Sequence, residues 1–160
     1  MTPSTQTPRH PVRDATPADV DALVAFNRAM ALETEDKVLD DARLHAGVAR
    51  LLGDASLGRY FVVDGGDGQP AGALAITYEW SDWRCGTWFW IQSVYVRPEA
   101  RRSGVFQALY AHVEAAARAQ PDCCGLRLYV EQDNSRAMAT YTALGMEETH
   151  YRLYEAEFSG

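Results

Sequence analysis

Two arginines and a glycine, Arg101, Arg102 and Gly104, stand in the segment PEARRSGVF. They lie between the β-rich run TWFWIQSVYV and the helically spaced run FQALYAHVEAAA. A helix that starts there exposes unpaired backbone N–H groups and the positive end of its dipole. The glycine removes a Cβ from the path of an approaching ligand, and the arginines add charge. The chemistry this favours is anion binding: a phosphate or pyrophosphate held at a strand-to-helix turn. The same residues also suit a charged surface loop. They match neither the GxxxxGK[ST] loop nor the GxGxxG fingerprint.

Other reactive side chains are sparse. His10, His45, His112 and His150 are scattered without metal-ligand spacing, so no metal site is expected. Cys85, Cys123 and Cys124 form no CxxC and no even framework, which reads as reduced thiols in a cytoplasmic protein. The net charge of −7 argues against general nucleic-acid binding and permits a cationic substrate. No apolar run approaches the roughly 18 residues that span a bilayer, so no membrane partner is expected. The N-terminal MTPSTQTPRHP lacks the apolar core of a secretory signal. Residues 1–11 read as a flexible tail ahead of one domain over 12–160.

The elements that position the turn follow from periodicity and punctuation. PVRDAT reads as a short strand. Thr16, Pro17 and Asp19 open a helix as cap, first-turn proline and capping-box acid. ETEDK interrupts it, and LDDARLHAGVARLLGD reads as a second helix. DGGDGQP turns a hairpin between two β-rich runs. The polar SDWRCG leads to a long strand from Thr87 to Val96, then the arginine–glycine turn and a helix to about Ala119. CGLRLYV is a strand, NSRAMATYTAL a helix closed by Gly145, and MEETHYRLYEAEF a last strand by its alternation. This predicts an α/β fold with a mixed, mostly antiparallel sheet, flanked by about four helices.

The segment VYVRPEARRSGVFQALYAHVEAAA resembles the acetyl-CoA-binding motif of the GNAT acyltransferase superfamily, Arg or Gln, two residues, Gly, one residue, Gly or Ala. Arg101 and Gly104 match and Phe106 departs. LRLYVEQDNSRAMATYTALGMEE resembles that family's following strand, helix and strand. The likeness runs from about Val12 to Phe158, with its specific residues between Ser93 and Met146. It implies a GNAT-like domain whose central parallel strand pair splays apart, with acetyl-CoA in the cleft.

Carried over residue by residue, the resemblance implies that Val94, Tyr95 and Val96 offer backbone groups to the pantetheine arm. Backbone N–H groups across Arg101, Arg102, Ser103, Gly104, Val105 and Phe106 would hold the pyrophosphate. The Phe106 ring must then point away from the turn. Asn134 and Ala137 would lie beside the arm. Tyr141 would be the general acid for the departing thiolate, a role open to a phenol of pKa about 10. Read without the resemblance, Asn134 is a helix cap and Tyr141 a core aromatic. Gln92 stands where many relatives carry glutamate and cannot act as a base. Glu79, Glu33, Glu35 or water could take the amine proton, and each acid also reads as a solvated surface group.

On the acceptor side, Glu33 and Glu35, the loop with Trp80, Trp83 and Arg84, and the strand with Trp88, Trp90 and Gln92 are expected to rim one cleft. Carboxylates and aromatic faces suit a cation. Arg84 could instead bind a substrate carboxylate, and Trp88 with Trp90 share one face of their strand. The pattern resembles the polyamine acetyltransferase branch of the family. It implies a cytoplasmic, homodimeric N-acetyltransferase acting on a small primary amine. The rival readings are a protein N-terminal or lysine acetyltransferase and a non-catalytic acyl-CoA sensor.

Overall fold

The sheet grows outward from a hairpin. β2 (Gly58–Asp64) and β3 (Pro70–Ser81) pair antiparallel across the glycine-rich turn, as the turn chemistry requires. β1 (Val12–Asp14) adds to the outer edge of β2, and β4 (Gly86–Val96) adds antiparallel to β3. β5 (Cys123–Leu128) lies parallel to β4, which gives the strand order β1-β2-β3-β4-β5. The parallel pair needs a crossover, and α3 (Val105–Ala119) supplies it. The other helices are α1 (Val20–Glu35), α2 (Asp41–Gly53) and α4 (Ser135–Ala143). The computed structural model describes residues 9–158, in two compact units that meet in sequence at Leu128 and Tyr129. The expected fold class stands: an α/β chain with a mixed sheet, antiparallel except for β4 and β5.

Strand alternation decides which helix covers which face. Tyr60, Val62, Ala73 and Ala75 pack against Leu23, Val24 and Phe26 of α1 and Val48 of α2. The intervening Phe61, Val63, Leu74 and Ile76 are buried on the opposite face. There α3 contributes Val105, Leu109 and Val113, and His112 meets the Phe61 ring edge-on at 5.1 Å. Each fully buried aliphatic side chain contributes about 1.5–3 kcal/mol relative to exposure.

Asp19 ties the first strand to the first helix. It is 7% exposed and accepts from both terminal nitrogens of Arg13 at 2.9 Å and from the Thr16 N–H at 2.8 Å. Arg13 also binds Asp64 on β2. The Arg13 hydrogen bonds, then that of Thr16, hold the Asp19 carboxyl below its ordinary range despite its burial. A folded pKa below the unfolded one stabilises the protein above the unfolded value, and the gain is lost as pH falls through the folded value. Stability should therefore fall as pH drops from about 4. Asp19→Asn should flatten that acid slope, as read by urea melts across the acid range.

Two expectations need correction. The ETE of ETEDK does not interrupt α1, which continues to Glu35. The chain leaves the helix at Asp36, in the left-handed region at φ 51°. Glutamate is a good helix former, and Thr34 turns its hydroxyl back to the Met30 carbonyl. The final strand is absent among the described residues: 147–158 form no regular element. Tyr151, Leu153, Tyr154 and Phe158 are 65–91% exposed. Alternation makes a strand only where a neighbouring edge takes up the backbone groups.

Candidate active site

The site is built where β4 loses a neighbour. Thr87 to Ile91 pair with β5, and that ladder ends at Ile91 opposite Leu128. Opposite β3, Ile76 faces Ile91 and Ala75 faces Ser93, so Gln92 is the extra residue of a β-bulge. From Ser93 to Val96, among the described residues, the strand pairs with β3 alone. The bulge is backed by a buried polar group: Asn27 Nδ2 donates to the Tyr60 hydroxyl at 3.1 Å, and Tyr60 is also bonded to Ser93. A cavity of about 10 Å³ lies among these three side chains, Met30 and Tyr95. Burial pushes the Tyr60 phenol up from its ordinary pKa.

Backbone parity assigns the open edge. The Arg97 N–H donates to Ala71 O at 2.9 Å, toward β3. In an antiparallel ladder the direction alternates, so Tyr95 and Ser93 also bond toward β3, and Val94 and Val96 face the side that β5 has left. The Val96 carbonyl there accepts from Arg101 Nε at 2.9 Å. This is the register at which a linear amide-bearing ligand could add along β4 as a strand would.

The turn after β4 is shaped for close approach. Pro98–Ala100 form a 3₁₀ turn, and the Ser103 hydroxyl donates to the Ala100 carbonyl. Arg102 has φ 62° and Gly104, the N-cap of α3, has φ 94°. The left-handed region at Gly104 is open to glycine without steric cost. Gly72 on β3 lets the helix start lie low on the sheet: a Cβ there would sit 2.8 Å from Val105 Cγ1 and 3.0 Å from Tyr95 O. Val105 is buried, so its side chain serves the core and leaves its N–H to the helix end. The Phe106 ring contacts that of Tyr110, one helical turn on, at 6.3 Å.

Glu33 comes to this end of β4. The Tyr95 hydroxyl donates to its Oε1 at 3.1 Å, and an Arg101 terminal nitrogen donates to its Oε2 at 2.9 Å. The Arg101 guanidinium lies 5.5 Å from the Tyr95 ring centroid, and that ring packs on Phe26 at 5.0 Å. Burial, then the bond to Glu33, raises the Tyr95 phenol. An arginine expected at the phosphates thus links the strand end to a glutamate expected at the acceptor. Glu35, at the end of α1, is exposed.

The remaining acceptor candidates lie elsewhere, and here the expected single rim is corrected. Trp80 pairs with Thr87, and Tyr95 lies eight residues further along β4. At about 3.3 Å per residue, leaving out the bulged Gln92, that is roughly 23 Å from the Glu33 cluster. Trp80 and Trp83 are 60% and 88% exposed at the hairpin tip. Arg84 stacks on the Trp88 ring at 5.0 Å, and Arg127 covers the same ring at 4.0 Å. Arg127 also holds the Glu79 carboxylate. Gln92 donates from Nε2 to Thr77 Oγ1 at 2.8 Å. Sequence reasoning missed Arg127, whose only local sign was a lone cation between leucines in β5.

In the second unit, Asn134 Oδ1 accepts from the Ala137 N–H at 3.1 Å and caps α4. The helix closes at Gly145, and the Met146 N–H reaches back to Tyr141 O at 3.0 Å. Tyr141 is half-buried, and that burial raises its phenol above the ordinary value. Among the described residues no helix is long and apolar enough to cross a membrane, and no group of three or more His, Cys, Asp or Glu is arranged to hold a metal.

Comparison with known proteins bears on the fold and the family. The chain resembles the crystal structure of "a possible acetyltransferase from Clostridium difficile 630" with TM-score 0.87 and 41% identity, over 94% of this chain and 99% of that one. An aminoglycoside N-acetyltransferase, AAC(6')-Iy, solved in complex with CoA, shares the fold at TM-score 0.74 and 18% identity, over 95% of this chain and 99% of that one. A thialysine N-epsilon-acetyltransferase of Bos taurus is 34% identical over 95 residues. Those are 56% of this chain and 52% of the relative, so the chain spans about half the length of that curated protein. The acetyltransferase (GNAT) family profile matches residues 24–146. With a β5 ladder that ends at Ile91 and a helix that starts on Gly104, the chain belongs to the acetyltransferase (GNAT) family.

Proposed function

We propose that this protein transfers the acetyl group of acetyl-CoA to a primary amine of a small molecule, polyamine-like or amino-acid-like, by direct attack. The observation that carries the reading is the half of β4 beyond the end of the β5 ladder, with Val94 and Val96 facing the side that β5 has left and the strand running into a turn capped by Gly104 at φ 94°. Acetyl-CoA suits those residues: amides for Val94 and Val96, and a pyrophosphate for the N–H groups from Arg102 to Phe106 beside two arginines, the Arg101 N–H being taken by the Pro98 carbonyl instead of standing free as expected. The bovine relative's name points to the ε-amine of a lysine-like amino acid, which supports an amine acceptor.

When bound, the thioester supplies an activated acetyl carbon. The Val94 N–H faces the open edge and would donate to the oxygen on which charge develops. Tyr141, kept protonated by burial, would give its proton to the departing sulfur. The Glu79 carboxylate is taken up by Arg127, and Gln92 carries no base. Loss of the amine proton to water fits these residues best. Phosphate oxygens would compete with Glu33 for Arg101, releasing the Glu33 carboxylate to face a cationic amine.

The test is thiol release and product mass spectrometry with acetyl-CoA and a panel of polyamines, lysine analogues and peptides. An acetylated small amine is the expected result. Acetylation of the peptides alone would move the acceptor to proteins. Tight CoA binding without turnover on any compound would make the protein a sensor. Sizing of the active species reads the homodimer that the family resemblance implies.

A further inference from the structure

The residues ahead of β1 reach the phosphate turn. His10 Nε2 lies 2.7 Å from the Ser103 carbonyl oxygen, across 93 positions of sequence. A carbonyl only accepts, so Nε2 carries the hydrogen. The imidazole also lies flush against the helix cap: its Cδ2 and Nε2 are 3.6 and 3.8 Å from the point a Cβ would occupy on Gly104. His10 is half-buried there. Two residues later Val12 is paired with Val63, so the backbone carrying His10 is already anchored. Little chain entropy is lost in making the contact.

The consequence lies in one peptide plane. The Ser103 carbonyl and the Gly104 N–H belong to the same planar trans peptide and point in opposite directions. Holding the carbonyl toward His10 turns the Gly104 N–H the other way. The neighbouring backbone has need of such a clamp. Arg102 is left-handed at φ 62° although it is not glycine, and Gly104 follows at φ 94°. A left-handed non-glycine residue is strained, so a turn of this kind drifts to other conformations unless contacts hold it.

We propose that His10 is a positioning residue for the phosphate turn: it holds the Ser103 carbonyl outward so that the Gly104 N–H is presented to the bound pyrophosphate. The inference rests on the acyl-CoA reading above. It adds a third element to the cradle, a segment from the other end of the chain, beside the end of β4 and the start of α3.

The experiment compares the wild type, His10→Ala and His10→Gln in full-length protein. Calorimetry gives the Kd for CoA and for 3′-dephospho-CoA, and steady-state kinetics give kcat and both KM values. His10→Ala should raise the CoA Kd and the acetyl-CoA KM about fivefold, the worth of one hydrogen bond. Its kcat and its acceptor KM should stay at the wild-type value. His10→Gln, whose amide can donate to the same carbonyl, should recover most of the loss. The fold-change should be equal for CoA and dephospho-CoA. Wild-type affinity in His10→Ala overturns the assignment. So does a defect confined to CoA, which would make His10 a direct 3′-phosphate contact. A parallel loss of kcat, acceptor affinity and melting temperature overturns it as well, since His10 would then be a general structural residue. A wild type that binds neither CoA nor dephospho-CoA overturns the acyl-CoA reading itself, and the inference with it.

Discussion

Replacing Tyr141 with phenylalanine lowers kcat by about 10²-fold or more while the CoA Kd stays within about twofold, the expected signature of a lost general acid. The substitution keeps the ring, so the packing of α4 is retained and only the hydroxyl is lost. In the wild type the phenol is raised from its ordinary value by burial. It therefore stays protonated across the neutral range, which is the form an acid needs. The sign for pH follows: deprotonation removes the acid, so kcat should fall on the alkaline side, above the ordinary tyrosine pKa of about 10. Tyr141→Phe should lose that limb along with most of its turnover. Rapid-quench measurement of acetyl transfer, with CoA titration in parallel, reads both. Unchanged turnover would remove Tyr141 from the chemistry.

Gly104→Val should abolish most of the cofactor affinity, raising the CoA Kd by more than about tenfold, equivalent to about 1.4 kcal/mol. Gly104 sits at φ 94° and ψ 6°. A β-branched residue there is strained by roughly 1–2 kcal/mol. Its Cβ would sit 3.6 Å from the His10 ring, in van der Waals contact, so a γ-methyl group turned toward the imidazole presses on it and the rotamers left to valine are restricted. The backbone strain and this contact disturb the N–H groups at the start of α3. The melting temperature should drop by a few degrees, consistent with strain of that size in a chain of this length. Calorimetric CoA titration and a thermal melt check the two effects together. A valine variant that binds CoA normally would show that the ligand does not use this turn.

Much of the fold was legible because its cues are local. The periodic apolar residues of α1, α2 and α3, the glycine-rich hairpin turn and the cap at Asn134 depend on neighbours a few positions away. The glycine-pivoted turn between β4 and α3 was legible for the same reason. The C-terminal run was misread because alternation is necessary for a strand and not sufficient. Tyr151, Leu153 and Tyr154 alternate with charge, yet they are exposed in a segment without regular structure. The acceptor rim was misjudged because loops at opposite ends of long strands look adjacent when only chain order is known. Trp80 pairs at Thr87, while Glu33 lands at Tyr95.

Local patterning, then, specified the elements from β1 to α4, their order, and an arginine–glycine turn between a strand and a helix. Register and long-range contact specified the rest. Gln92 becomes a bulge because β3 pairs Ala75 with Ser93 and Ile76 with Ile91, a choice made across two strands. Val94 and Val96 face an open edge because the β5 ladder ends at Leu128. Arg101 meets Glu33 across 68 positions, and His10 meets Ser103 across 93. Such pairs form only after the helices and strands have packed, when the loop-closure entropy between them has already been offset by buried apolar surface. No window of sequence carries that information, since neither partner's neighbours reveal what it will touch.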